Sequence, residues 1–144
     1  MSSKTITGIV TWLKQWFYTK EEVDDLLLSD SGTQSCTIST GYSVYTSGTS
    51  LRVRKIGKNV LVNGVFKNNS QVTSTNNQIQ FATLPSGYRP TNTQVKICQG
   101  SGVSRWLLRI YSNGQMTWER YGVSTNNTIT SGSIYEYSIC FMVD

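Results

Sequence analysis

The chain has 144 residues, 38% hydrophobic and 15% charged, with 12 glycines, three cysteines and no histidine. That length supports one ordinary core plus an appendage, and the missing histidine removes the usual general base, the commonest metal ligand and every histidine-dependent triad. The net charge of +5 is unevenly divided: residues 1–30 carry three lysines against five carboxylates, net −2, whereas residues 31–144 carry ten Lys or Arg against Glu119, Glu136 and Asp144, net +7.

Residues 1–10 are too polar for the apolar region of a signal peptide, so assembly in a cytoplasm is the expectation. No apolar run approaches the roughly 20 residues of a membrane span. Over residues 5–17, Ile6, Ile9, Val10, Leu13, Trp16 and Phe17 recur at the spacing of one helical face. With Ile6 at heptad position a, the seam reads Ile6, Ile9, Leu13, Trp16, Lys20, Val23, Leu27 and Asp30, six of eight apolar. Thr19 and Glu22 form a capping box with Tyr18 and Val23 at the staple positions, so a second helix starts there. Helices are expected over about 5–16 and 20–28. Helices this short need partners, either identical copies or the rest of the chain. Trp12, Trp16 and Phe17 beside Lys14 and Lys20 also suit a membrane surface, but the acidic turn that follows opposes an anionic bilayer.

After residue 30 the period changes from helix to strand. Candidate strands are 34–39, 42–46, 51–56, 59–66, 78–81, 94–98, 105–112, 115–120 and 134–143, rich in Val, Ile, Thr and aromatics and separated by Gly, Asn and Ser. Asn113-Gly114 predicts a type I′ hairpin and Gly57-Lys58 a second hairpin, while Asn63-Gly64 lies inside a strand pattern and suggests a bulge or a turn. Residues 68–77 and 124–133 are almost wholly Asn, Ser, Thr, Gly and Gln and read as exposed loops or edges. Asn68 and Asn126 head glycosylation sequons, which lack meaning without secretion. Cys36, Cys98 and Cys140 are widely spaced and odd in number, so they read as small core residues. The pattern implies a mainly β fold, an antiparallel β-sandwich or jelly roll over residues 31–144, preceded by a helical stalk over residues 1–30.

Residues 18–28, Tyr-Thr-Lys-Glu-Glu-Val-Asp-Asp-Leu-Leu-Leu, resemble the Tyr-Thr-Lys-x-x-Val-Asp-x-Leu-Leu motif of phage fibre and tail proteins. In that family the motif starts a short trimeric helical stalk before a β-rich head. Residues 81–90, Phe-Ala-Thr-Leu-Pro-Ser-Gly-Tyr-Arg-Pro, resemble a loop of β-sandwich heads in phage fibre and receptor-binding proteins. The resemblance implies a homotrimeric virion protein, with Ile6, Ile9, Leu13, Trp16, Val23 and Leu27 in the trimerisation seam. It further implies that the N-terminal segment holds another virion protein and that the head binds a host surface glycan or other anionic polymer.

No phosphate-cradling glycine loop, nucleophile elbow, metal cluster or cofactor motif is legible. Nothing in the sequence places Glu119 and Glu136 on opposite sides of a scissile bond, as glycoside hydrolysis demands, so binding without catalysis is expected. Alternation in residues 105–111 puts Trp106, Leu108 and Ile110 on the better core face and Arg105, Leu107, Arg109 and Tyr111 on the other. In the partner strand an exposed Trp118 beside Arg109, Arg120 or Tyr121 would stack a sugar ring and bind its anionic substituent; an interior Trp118 is the alternative. Tyr88 and Arg89 are further candidate binding residues, against a packed loop without ligand. Arg52 and Arg54 share one strand face, suited to a trimer interface or a solvent edge. The rival functions are a purely structural head-fibre or decoration protein and a single-strand nucleic-acid binder on a small β-barrel, the latter suggested by the basic head and its aromatics.

Overall fold

The structure, a computed structural model, describes residues 8, 9, 11, 29–122 and 127–143. Of the expected stalk, Gly8, Ile9 and Thr11 are helical and exposed. The Thr19 cap, the motif at 18–28 and the seam residues Ile6, Leu13, Trp16, Val23 and Leu27 lie outside the described residues.

Among the described residues there are twelve strands: β1 (Asp30–Ser35), β2 (Thr37–Ile38), β3 (Tyr42–Val44), β4 (Arg52–Ile56), β5 (Asn59–Asn68), β6 (Val72–Thr73), β7 (Ile79–Thr83), β8 (Gln94–Gly100), β9 (Arg105–Ile110), β10 (Gln115–Glu119), β11 (Thr128–Ile129) and β12 (Ile134–Met142). Ten belong to one antiparallel sheet with the path β1-β4-β5-β12-β8-β9-β10-β7-β2 and β3 beside β5. β6 and β11 make a separate two-stranded ladder.

The chain is mainly β and antiparallel, as its alternation demands, but the two sheets of a jelly roll are joined into one path. Two joints explain this. β12 and β8 meet only at Tyr135↔Gly100 and Glu136↔Gln99, a corner at which the sheet turns. At the other side, β1 and β2 are consecutive in the chain and flank Cys36. The Cys36 N–H donates to the Leu51 carbonyl and the Ser39 N–H to the Phe81 carbonyl, each at 2.9 Å. One extended segment therefore edges both ends of the path, and the sheet folds over itself into a flattened, nearly closed barrel. Near closure leaves few free edges, which limits pairing with other chains.

Alternation sorts the residues as period 2 requires. Trp106, Leu108 and Ile110 of β9, Val60, Val62 and Phe66 of β5, and Tyr135, Tyr137, Ile139 and Phe141 of β12 are buried. The Phe66 ring lies between Phe81 (centroids 4.1 Å apart, 7° between planes) and Tyr135 (4.6 Å, 10°), with Trp106 edge-on at 5.9 Å. β5 and β7 are five steps apart along the sheet, so the Phe66–Phe81 stack crosses the interior and holds its two sides together.

Several local expectations are corrected. The β9–β10 hairpin exists, but only Gly114 takes positive φ (87°), not Asn113. The Gly114 N–H donates to the Tyr111 carbonyl at 2.8 Å and the Tyr111 N–H to the Gln115 carbonyl at 2.9 Å, giving a three-residue loop with a left-handed glycine after a tight turn. Asn113 Oδ1 accepts from the Gln115 N–H at 2.9 Å instead. Gly57 has φ 57° and supplies the positive-φ first position of the β4–β5 turn. Asn63-Gly64 is neither turn nor bulge, since β5 pairs without interruption with β12. Gly64 is there because a Cβ would lie 2.9 Å from Leu51 Cα and 3.2 Å from the Tyr137 hydroxyl. The polar stretches are not mere loops: Val72 pairs with Ile129 and Thr73 with Thr128. Asn68, Ser74 and Ile129 are buried, and Asn68 Nδ2 donates to the carbonyls of Ser70 (2.8 Å) and Thr130 (2.9 Å), which leaves no room for a glycan at that sequon. Cys36 and Cys98 are core residues as expected, but Cys140 lies exposed on the outer face of β12, because inward positions there fall on odd-numbered residues.

Burial pushes the Cys36 thiol up to about 12 and the Cys98 thiol up to about 11, from 9.0. Unfolded thiols ionise first, so the stability due to these two is complete below pH 9 and is lost between pH 9 and about 12. A disulfide-exchange reagent at pH 8 should titrate Cys140 rapidly, and Cys36 and Cys98 only at the rate of unfolding. Phe66→Ala should lower the unfolding free energy by about 3–5 kcal/mol in a denaturant titration, because both stacked faces lose their contact.

Candidate functional site

β8 and β9 form a hairpin whose tip carries Val103, 87% exposed. The tip is closed by the Gly100 N–H on the Ser104 carbonyl (2.8 Å) and the Ser104 N–H on the Ser101 carbonyl (3.1 Å). On the outer face, Ile97 stands opposite Leu107 in register and is 66% exposed. Large apolar side chains on a solvent face break the usual alternation and mark this surface. Ile97, Val103, Leu107, Arg105, Arg120 and Gly122 line a groove of about 360 Å³ here.

Arg120 is the unusual member. Among the described residues it is the only non-glycine with positive φ, at 55°. A bulky residue in that region costs about 1–3 kcal/mol and persists only where neighbours over-determine it. They do so here: the Arg120 N–H donates to the Thr75 carbonyl at 2.9 Å and the Gly122 N–H to the Arg105 carbonyl at 2.8 Å. The left-handed backbone ends β10 and breaks the alternation that would have kept Arg120 on the Met116–Trp118 face. Its side chain is exposed and lines the groove with Arg105. Neither guanidinium has a carboxylate partner among the described residues. The result is two cations, unpaired among the described residues, beside an apolar floor, a surface for an anionic group attached to a partly apolar ring or chain.

The other expected binding residues are distributed differently. Trp118 is fully buried and its Nε1–H donates to the Tyr42 hydroxyl at 2.7 Å, so it is core, not a stacking platform. Burial raises the Tyr42 phenol above its ordinary value, which the Trp118 bond partly offsets. Tyr121 is also buried. Its hydroxyl accepts from the Ser101 N–H at 2.7 Å and donates to the Ile134 carbonyl at 3.1 Å, which braces the base of the β8–β9 tip. Gly100 is required beside it, since a Cβ there would come within 2.6 Å of the Tyr121 ring.

Arg109 is occupied: its Nε (3.0 Å) and Nη2 (2.9 Å) both donate to Oε1 of Glu119, which is 1% exposed. Tyr88 is half-buried under Lys55, whose Nζ is 6.0 Å from the ring centroid, and Arg89 Nε donates to the Leu84 carbonyl at 3.3 Å beside Gly114. Gly114 and Arg120 bracket β10 at its two ends, about 20 Å apart at 3.3 Å per residue. Tyr88 and Arg89 therefore do not converge with Arg120. Of the expected set only Arg120 lines this groove. Arg105, Ile97 and Val103 are not legible as ligand contacts, because Val95 and Ile97 alternate with Lys96 as an inward pair would, and only the burial of Cys98 opposite Trp106 turns them outward.

Glu119 and Glu136 sit on β10 and β12, with β8 and β9 between them. Three strand spacings put them about 14 Å apart along the sheet, wider than the ~5–9.5 Å of paired glycosidase carboxylates.

No family model matches the chain, and no curated protein matches it. Among solved structures it is similar to the receptor binding protein (gp15) of Listeria phage PSA, at 15% identity and a TM-score of 0.52, over 94% of this chain and 80% of that one. At that identity the likeness is one of fold.

Replacing Arg120 by Gly should stabilise the protein by up to about 1 kcal/mol, the relief of left-handed strain being partly offset by the entropy of a glycine in the unfolded chain. Arg120→Val should destabilise it, since a β-branched residue tolerates that backbone worst; paired denaturant titrations check both signs.

Proposed function

We propose that the chain is a receptor-binding fibre component of a phage virion whose β domain holds an anionic polymer of the host surface in the Arg105–Arg120 groove, without cleaving it. The observation that carries this is Arg120: a charged residue kept in a strained backbone, with a guanidinium that lines a groove and has no carboxylate partner among the described residues, is what a binding site retains and a merely structural surface has no use for. The fold likeness to a phage receptor-binding protein and the +7 charge of residues 31–144 support the same reading.

Polysaccharide bearing phosphate or carboxylate groups is the substrate class that suits two arginines over an apolar floor. Arginine forks take phosphate or carboxylate oxygens, and Ile97, Leu107 and Val103 take the apolar face of a ring. A single shallow groove binds weakly, so three copies joined through residues 1–30 would raise the avidity by effective concentration. The same segment would attach the trimer to another virion protein. Hydrolysis has no place in this reading: Glu119 is committed to Arg109 and lies far along the sheet from Glu136.

The full-length protein should bind poly(glycerol phosphate) or polygalacturonate with an affinity that falls as salt rises. Arg105→Gln with Arg120→Gln should weaken that binding by about tenfold or more, given about 1.5–3 kcal/mol per charge-assisted contact. No binding by the wild-type protein would favour the purely structural rival, unchanged affinity in the double variant would overturn this groove as the site, and light scattering would separately test the trimer.

A further inference from the structure

The outer face of β4, β5 and β12 carries a second cleft, whose Glu136 is two strand spacings from Arg105 with Gln99 between them. Three residues form one row across the strands: Arg52 stands opposite Asn63, and Asn63 opposite Ser138. One step along, Val65 stands opposite Glu136. Inward positions on these strands are Val53, Val60, Val62, Phe66, Tyr135, Tyr137 and Ile139, so the intervening residues share the outer face.

A wall for the cleft comes from the loop between β3 and β4. Thr49 Oγ1 accepts from the Thr46 N–H (2.8 Å) and donates back to the Thr46 carbonyl (3.0 Å), which rigidifies the turn. Gly64 lets Leu51, at the end of that loop, come so close to β5 that a Cβ there would lie 2.9 Å from Leu51 Cα. The hollow, open to solvent and about 300 Å³, is lined by Thr49, Ser50, Arg52, Asn63, Glu136 and Ser138. It adjoins a smaller hollow of about 190 Å³ around Arg54 and Leu61, with Arg52 and Asn63 common to both.

The electrostatics of this cleft differ from those of the first groove. Arg52 is held by Ser50 Oγ, 2.5 Å from its Nε. Arg54 is committed to Asp30, a pairing that keeps the Asp30 carboxyl below its ordinary range, helped by the Gly32 N–H. Lys96 Nζ is committed to the Ser138 carbonyl. Glu136 and Arg52 find no opposite charge among the described residues. Two strand spacings and a two-residue offset separate their Cα atoms by about 12 Å. A carboxamide, from Asn63, and hydroxyls, from Thr49, Ser50 and Ser138, stand around them. One free cation and one free carboxylate, facing one hollow of monosaccharide size with neutral hydrogen-bonding groups between, complement a ligand with both charges on one polyhydroxylated ring.

We propose that this cleft is a second binding site, for an amino sugar bearing an anionic substituent. Glu136 takes the ammonium, Arg52 takes the anion, and Asn63 with the loop hydroxyls takes ring hydroxyls. The site is independent of the Arg105–Arg120 groove and of whether that groove binds a polymer.

The probe is glucosamine 6-phosphate, titrated into the full-length protein by calorimetry with backbone amide shifts as the locator. It should bind at least tenfold more tightly than glucose 6-phosphate, which lacks the amine, and than glucosamine, which lacks the phosphate. Glu136→Gln should abolish the preference over glucose 6-phosphate, and Arg52→Gln the preference over glucosamine. Both side chains are on the surface, so the folded state should survive either change. In Arg105→Gln, Arg120→Gln protein the preferences should persist, which separates this site from the first groove. Equal affinity for the amine and hydroxyl sugars, an amine preference that survives Glu136→Gln, or shifts centred on Arg105 and Arg120 would each overturn the proposal.

Discussion

The stack of Phe81, Phe66 and Tyr135 is the contact on which the rest of the structure depends. Phe66 belongs to β5, Phe81 to β7 and Tyr135 to β12, and near-parallel rings 4.1 and 4.6 Å apart leave no space for solvent between the two sides of the folded sheet. Trp106 seals the column edge-on from β9. Backbone ladders alone would not achieve this. β12 and β8 share two register pairs, and β2 is two residues long, so hydrogen bonds at the joints hold the sheet together without choosing how sharply it turns. Offset and edge-on aromatic contacts are directional as well as apolar, and they set the distance between the two sides.

That rigid interior lets the surface carry strain. Arg120 keeps a left-handed backbone because Thr75, from the segment joining the small β6–β11 ladder to β7, holds its N–H, while Arg105 holds the N–H of Gly122. The polar stretches between strands thus have a definite mechanical task. Tyr121 contributes from below by joining Ser101 to Ile134, so the hairpin tip that forms one wall of the groove is braced from the core. Charge follows the same division. Arg109 and Glu119 neutralise one another on adjacent strands β9 and β10, and Arg105 and Arg120, without a carboxylate partner among the described residues, are left at the rim, where solvent keeps them charged at little cost.

Most of the architecture was legible in the residues. Alternation located Trp106, Leu108 and Ile110 in the core, and all nine candidate strands have counterparts. The shortest elements were missed: β6 and β11 lie in segments whose Asn, Ser and Thr content reads as loop, and two residue pairs are too few to leave a period. Asn113-Gly114 marks the turn but not its type, since both types want an Asn-Gly dipeptide and only the backbone trace of Tyr111 and Gln115 distinguishes them. The binding residues were harder. Trp118 and Tyr121 carry the chemistry of sugar recognition, but the same chemistry serves a core that needs large rings with satisfied polar tips.

Period, composition and turn residues determined by themselves that this is an antiparallel β protein with a basic β domain, that Trp106, Leu108 and Ile110 face inward, and where the β4–β5 and β9–β10 hairpins fall. These are local properties, carried by neighbours within a few positions of one another. Tertiary structure alone decided that the sheet closes on itself through Cys36, that Gly64 and Gly100 are needed to admit Leu51 and Tyr121, and that Arg120, not Trp118, reaches the groove. Each of those outcomes depends on contacts between residues far apart in the chain, and on a backbone dihedral at Arg120 that only its long-range partners make tolerable.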